Sequence, residues 1–149
     1  MNSMKEPIDG FIIRPYTAAD QSDVINVWQA CHLIVPWNDP VRDIDTKMNV
    51  QPDLFLVGLL HEDIVSTIMI GYEGHRGWIN YLAVSPQVQR KGIGTYMMKK
   101  AESLLKERGC PKINLQIRKN NTAVISFYES LGYSFDDVVS MGKRLISHV

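Results

Sequence analysis

The sequence predicts an α/β domain with a mixed, mostly antiparallel sheet, its elements in the order βααβββαβαββ. Three observations carry this. Three strand-like runs follow one another between residues 54 and 84 with only short polar turns between them, which suits antiparallel pairing. A long amphipathic stripe follows, with Ile93, Met97, Ala101, Leu104 and Leu105 at helical spacing. Between the two lies Val-Ser-Pro-Gln-Val-Gln-Arg-Lys-Gly-Ile-Gly-Thr, residues 84–95, a turn rich in glycine and basic side chains.

In chain order, residues 1–10 read as a short loose tail, and the whole of 1–149 as a single domain. Residues 11–14 form an opening strand closed by Pro15. Thr17 caps the next helix with Asp20 at its third position, a weaker capping box, and Val24, Ile25, Val27, Trp28 and Cys31 form its apolar stripe. Asp39-Pro40 is an N-cap followed by a proline at the first helical position, opening a shorter helix to about Met48 with Val41, Ile44 and Met48 inward. Residues 54–60 and 64–72 make a hairpin around His61-Glu62-Asp63. The turn Glu73-Gly74-His75-Arg76-Gly77 then leads into a strand at 78–84. The long helix ends near Arg108, with Gly109 as its stop and Pro111 beyond. Residues 112–118 alternate as a half-buried strand, a helix carrying Tyr128 follows, and 134–139 with 141–146 close the sheet as an antiparallel pair.

Composition narrows the function. Sixteen basic residues balance sixteen acidic ones, which argues against nucleic acid or an anionic membrane as the main partner. No apolar run approaches a membrane span, and the start of the chain lacks a signal-peptide core. Two cysteines give no framework of bridges, so a reducing cytoplasm is the simple reading. His32, His61, His75 and His148 show no ligand spacing and the cysteines form no C-x-x-C pair, so no metal is expected.

The 84–95 turn is an anion site in outline. The first N–H groups of a helix lack internal partners, and the macrodipole favours negative charge there. Gly92 and Gly94 let a phosphate approach the main chain, with Arg90 and Lys91 beside it. The Walker pattern fails because Lys91 precedes Gly92, and the dinucleotide pattern fails because Met97 stands at the third glycine position. A glycine-softened turn with no ligand is the plainer reading of these residues alone.

The spacing Gln89-x-x-Gly92-x-Gly94 resembles the coenzyme A pyrophosphate loop of the GNAT superfamily of N-acetyltransferases. A second motif, Asn120-x-x-Ala123-x-x-x-Phe127-Tyr128-x-x-x-Gly132-Tyr133, is similar to the second GNAT motif, and it follows one helix and one strand later as that family requires. Trp37-Asn38-Asp39-Pro40 with Gly74-His75-Arg76-Gly77 resembles a small bacterial branch of stand-alone members, which sharpens the family and leaves the acceptor open.

The resemblance implies a GNAT fold in which the strand ending at Val84 and the strand starting at Lys112 splay apart to admit the pantetheine arm of acetyl-CoA. It implies that Gln89, the backbone of Arg90, Lys91, Gly92, Ile93, Gly94 and Thr95, and the loop residues Asn120 and Asn121 bind the coenzyme. The backbone of Leu82, Ala83 and Val84 would align the thioester, and one of those N–H groups would stabilise the oxyanion, a contact worth about 2.7–4 kcal/mol. Tyr128 would protonate the departing thiolate, a thiol near about 8.5 being close enough to a phenol near about 10.

An alkyl amine is neutral in only about one molecule in a thousand at pH 7, so the reaction also asks for a base. Glu73 leads, with His75 and Asp39 behind it. Trp37, Asp39 and His75 are acceptor-contact candidates, although Trp37 packing a helix junction and Asp39 serving only as a cap is the plainer reading. The expected activity is transfer of an acetyl group to a primary amine, on a small molecule or a protein N-terminus, by direct attack in a ternary complex. Dimers are common in such folds. The alternative is a non-catalytic acyl-CoA sensor or scaffold, which binds the coenzyme and releases no thiol.

Overall fold

The computed structural model describes residues 5–147; the first four residues of the expected tail and His148 lie outside the described residues. The elements are β1 (Phe11–Pro15), α1 (Gln21–Ala30), α2 (Pro40–Lys47), β2 (Phe55–Leu60), β3 (Asp63–Tyr72), β4 (Gly77–Val84), α3 (Ile93–Glu107), β5 (Ile113–Asn114) and α4 (Thr122–Ser130). They build one five-stranded sheet in the order β1-β2-β3-β4-β5, antiparallel except for the parallel β4–β5 pair. This is the mixed α/β sheet that the sequence predicts.

The centre of the sheet is apolar on both faces, as a strand covered on two sides must be. Leu56, Ile68, Ile70 and Ile79 meet Ile93, Met97, Met98, Ala101 and Leu105 of α3 on one face. Phe55, Val57, Leu59, Met69 and Ala83 meet Val24, Val27, Trp28 and Ile44 of α1 and α2 on the other. Asp39 caps α2 as expected, accepting from the N–H groups of Val41 and Arg42 at 3.0 and 3.3 Å. Val41, expected to face inward, is exposed, because only Ile44 and Met48 of that stripe reach the second cluster.

Three expectations need correction. The tail is anchored from Ile8, which packs against the α3-side cluster while its carbonyl accepts from Phe11 N–H at 3.1 Å. The strand expected over 112–118 is regular only at Ile113–Asn114. The closing pair at 134–139 and 141–146 is not formed as regular strands. Its contacts with the β5 region run side chain to side chain: Lys112 and Asn114 donate to Asp136 at 2.8 and 2.6 Å, and Gln116 donates to Ser140 at 2.6 Å. Side chains bridging in this way hold two backbones farther apart than the roughly 4.8 Å of a hydrogen-bonded ladder.

Candidate functional site

β4 and β5 pair at Gly77 with Ile113 and at Trp78 with Asn114, and nowhere further along. β4 runs on to Val84, so its last six residues border a gap and not a neighbouring strand. β4 is also irregular within. Its register against β3 shifts between Thr67 and Met69, which face Ala83 and Asn80, leaving Tyr81 and Leu82 both opposite Ile68. Tyr81 takes a φ of +52°, a left-handed conformation in the middle of a strand. Such a bulge bends the strand and re-aims its backbone groups.

At the far end of β4 the chain makes a single turn at Pro86–Val88 and enters α3 through Gly92. Gly92 is the N-cap, with φ +85°, and offers no side chain to satisfy the first N–H groups of a fifteen-residue helix. Those donors are left for an outside acceptor, as an anion site requires. Arg90, at φ +65°, and Lys91 are both exposed beside it.

Gly94 has a packing purpose beside the phosphate approach that its position suggests. A Cβ there would stand 3.2 Å from Phe127 Cζ and 3.7 Å from Val84 Cγ2, so the missing side chain lets α4 seat against the start of α3. Gln89 folds back and donates to the Val84 carbonyl at 2.9 Å, and the Cys31 thiol meets the same oxygen at 3.2 Å. Burial raises the pKa of that thiol, so Cys31 is a packed donor. The Val84 carbonyl is therefore already engaged and Ala83 faces Thr67 in the ladder with β3, so of the three residues expected to align a thioester only Leu82 lies outside that register.

Asn121 caps α4, accepting from Val124 N–H at 3.3 Å, while Asn120 is exposed beside it. Tyr128 lies on the buried face of α4, only 7% exposed, with its ring edge-on to Phe127 and Tyr133. Its hydroxyl has no hydrogen-bond partner among the described residues. Burial pushes its pKa up to about 12, so it carries its proton throughout the neutral range but stands farther above a thiol at about 8.5 than the expected match of a phenol at about 10. Tyr133, the other phenol on this wall, donates to Glu102 at 2.8 Å and is raised by burial and by that carboxylate. Tyr128 lines a cleft of about 1410 Å³ whose wall also includes Trp78, Asn80, Leu115, Ile117 and Arg118.

The acceptor-side candidates divide. The Arg118 guanidinium stands 4.9 Å over the Trp37 ring, so the α1–α2 loop touches the segment that follows β5. Asp39 is the α2 cap. Glu73 and His75 are not brought to this end of β4. They sit in the β3–β4 turn beyond Gly77, five strand residues from Leu82 and thus on the order of 16 Å away along the strand. The Glu73 carboxylate is engaged by the N–H groups of Arg76 and His75, which hold its pKa below the usual carboxylate range. The base expected at Glu73 is therefore a solvent-exposed turn residue distant from Leu82, and the structure does not bring it to the bulge.

Sequence reasoning missed four residues around the bulge. The Tyr81 ring stacks on Trp28 at 3.8 Å, and its hydroxyl donates to Asp43 of α2 at 2.6 Å; burial and that carboxylate raise its pKa. Trp28 Nε1–H donates to Thr67 Oγ1, which donates to the Tyr81 carbonyl. Among the described residues no group of three or more His, Cys, Asp or Glu side chains is placed to hold a metal, and no helix is long and apolar enough to cross a membrane.

The family model described as Acetyltransferase (GNAT) family matches residues 22–133. An acetyltransferase of Pectobacterium atrosepticum is 46% identical over 134 residues, covering 90% of this chain and 95% of that protein. An acetyltransferase of Sodalis glossinidius is 48% identical over 135 residues, with the same 90% and 95% coverage. Among solved structures, the PaiA N-acetyltransferase of Thermoplasma acidophilum in complex with coenzyme A superposes with a TM-score of 0.71 at 18% identity, covering 87% of this chain and 92% of that one, a likeness of fold.

Proposed function

The chain belongs to the GNAT family of acetyltransferases, and from that premise we propose that it moves the acetyl group of acetyl-CoA to a primary amine by direct attack in a ternary complex. The observation that carries this reading is the gap along β4. Two paired residues and then open backbone leave a slot for an extended arm, and the slot ends at a helix start with uncapped N–H groups and two exposed cations. A diphosphate joined to a long thiol arm matches both features at once.

In this reading Arg90, Lys91, the N–H groups from Gly92 to Thr95 and the Thr95 hydroxyl hold the diphosphate, with Asn120 and Asn121 along the arm. Backbone of Leu82 aligns the thioester carbonyl beside the bulge. Tyr128 keeps its proton until the thiolate departs and then supplies it; the hydroxyl has no partner among the described residues to give up first. Trp37 and Arg118 flank the acceptor's entrance. The acceptor is a small-molecule amine or a protein N-terminus, and a second copy of the chain is a possible companion. The two half-buried free thiols suit a cytoplasmic setting.

Titration calorimetry with coenzyme A, followed by thiol release from acetyl-CoA against a panel of amines, tests the reading. Binding together with amine-dependent release is the expected result. Absence of binding overturns it, and binding without release against any amine leaves only a sensor of the coenzyme.

A further inference from the structure

A buried hydrogen-bond chain crosses the sheet beneath the kink in β4. Trp28 Nε1–H of α1 donates to Thr67 Oγ1 of β3 at 2.9 Å, and the Thr67 hydroxyl donates to the Tyr81 carbonyl at 2.8 Å. Trp28 and Thr67 are both at 0% exposure, so water does not compete for the first bond, and the second is partly shielded. A hydroxyl has one proton to give, and with Trp28 supplying a donor to its oxygen, that proton goes to Tyr81. Tyr81 needs holding. Its left-handed φ costs a residue with a Cβ about 1–2 kcal/mol, and such a conformation persists only where the surroundings over-determine it.

The consequence falls on the other side of the same peptide. No described peptide bond is cis, so the Tyr81 carbonyl and the Leu82 N–H point in opposite directions across one plane. The carbonyl is bound from β3, and the N–H of Leu82 is therefore turned away from β3, toward the edge where β4 and β5 part. We infer that Thr67, oriented by Trp28, is a positioning residue that aims the Leu82 N–H at the thioester carbonyl of bound acetyl-CoA. The inference rests on the acetyl-transfer reading above, and it brings in two residues that touch neither substrate. Their effect passes through one rigid peptide. A donor displaced by a fraction of its hydrogen-bond length still permits binding and loses the interaction that grows as the carbonyl becomes an oxyanion.

The test reads that carbonyl directly, with acetyl-CoA labelled with carbon-13 at its carbonyl. In the wild-type complex the thioester stretch is expected below its frequency in water. In Thr67→Val, which keeps the shape and loses the hydroxyl, the band is expected to move back toward the free value. Hydrolytic thiol release should fall about 10²-fold, the cost of a small misplacement, while the Kd for coenzyme A stays put. Thr67→Ser is expected to restore both band and rate. A folded Thr67→Val variant with wild-type band and rate overturns the inference. If Thr67→Val does not fold, Trp28→Phe, which retains an aromatic ring and loses the N–H, is expected to move the band the same way by less, and an unmoved band there overturns it equally. A wild-type protein that binds no acetyl-CoA removes the acetyl-transfer reading and this role together. A wild-type shift that neither variant alters removes the role of Thr67 and Trp28 alone.

Discussion

Replacing Tyr128 by phenylalanine separates packing from chemistry, because the ring has neighbours and the hydroxyl has none. The ring is 7% exposed and stands 5.0 Å from Phe127 and 5.6 Å from Tyr133, contacts that phenylalanine keeps. The hydroxyl has no protein partner among the described residues and faces the cleft, so its removal is expected to leave stability within about 1 kcal/mol of wild type. For a chain of this length that is about 2–4 °C in Tm. Turnover is expected to fall about 10²–10⁴-fold, the usual range for losing a general acid. The pH dependence gives a second reading of the same group. Burial raises the folded pKa from 10.0 to about 12, so the stability linked to neutral Tyr128 is fully present below pH 10 and is lost as pH rises through 12. That corresponds to about 3 kcal/mol over the window. Tyr81 and Tyr133 are raised as well and remain in the variant, and Tyr133 is raised in part by Tyr128, so the difference between the two proteins reads Tyr128 together with its effect on Tyr133. Thermal melts from pH 7 to 12 and thiol release at pH 7 measure both effects. An unchanged rate refutes the proton-donor role, and a variant that melts well below wild type at pH 7 shows that the hydroxyl is structural.

Gly94→Ala puts a methyl 3.2 Å from Phe127 Cζ, so α3 and α4 must part by a few tenths of an ångström; a cost of about 1 kcal/mol and reduced turnover through the shifted Tyr128 are expected, and an unmoved Tm counts against the close seating. Glu73→Gln is expected to leave the pH profile of kcat in place, because the carboxylate serves its own turn; loss of an ionisation limb from that profile would return Glu73 to the chemistry. Asp20 accepts from both Arg14 guanidinium nitrogens at 2.7 and 2.9 Å and from Thr17 N–H, which hold its carboxyl below its ordinary value. Its stabilising contribution is present above that ordinary value and is lost as pH falls through the depressed one, so Asp20→Asn should cost about 2 kcal/mol at pH 7 and flatten the acid limb of the stability curve.

Much of the fold was legible because its signals are local. Asp39-Pro40 wrote the start of α2, the apolar stripe from Ile93 wrote α3, and the continuous apolar run in β2 wrote a strand covered on both faces. The loop at 89–95 was legible for the same reason, since glycine at a left-handed helix start is a property of one residue. Where a prediction depended on a partner strand, periodicity was a weaker guide. Residues 134–146 alternate well enough to read as strands, yet the hydrogen bonds that join them to residues 112–116 run through the side chains of Lys112, Asn114 and Gln116. The pattern records which side chains could share a face and is silent on whether a backbone edge is there to receive them.

The bulge at Tyr81 shows why part of the site stayed hidden. Strand irregularities that can be read in a sequence usually carry a glycine, and this one carries a tyrosine in a left-handed conformation. What makes that conformation tolerable comes from three other elements: the indole of Trp28 in α1, the hydroxyl of Thr67 in β3 and the carboxylate of Asp43 in α2. Each of these looks unremarkable in its own segment, one as a core aromatic, one as a strand threonine and one as a helix acid. Glu73 misled in the opposite sense, standing out in a polar turn whose geometry it simply completes. Prominence in the sequence therefore tracks local backbone demands. The groups that hold the Tyr81 peptide are instead spread over α1, α2 and β3, and a conformation of this kind persists only where such surroundings over-determine it.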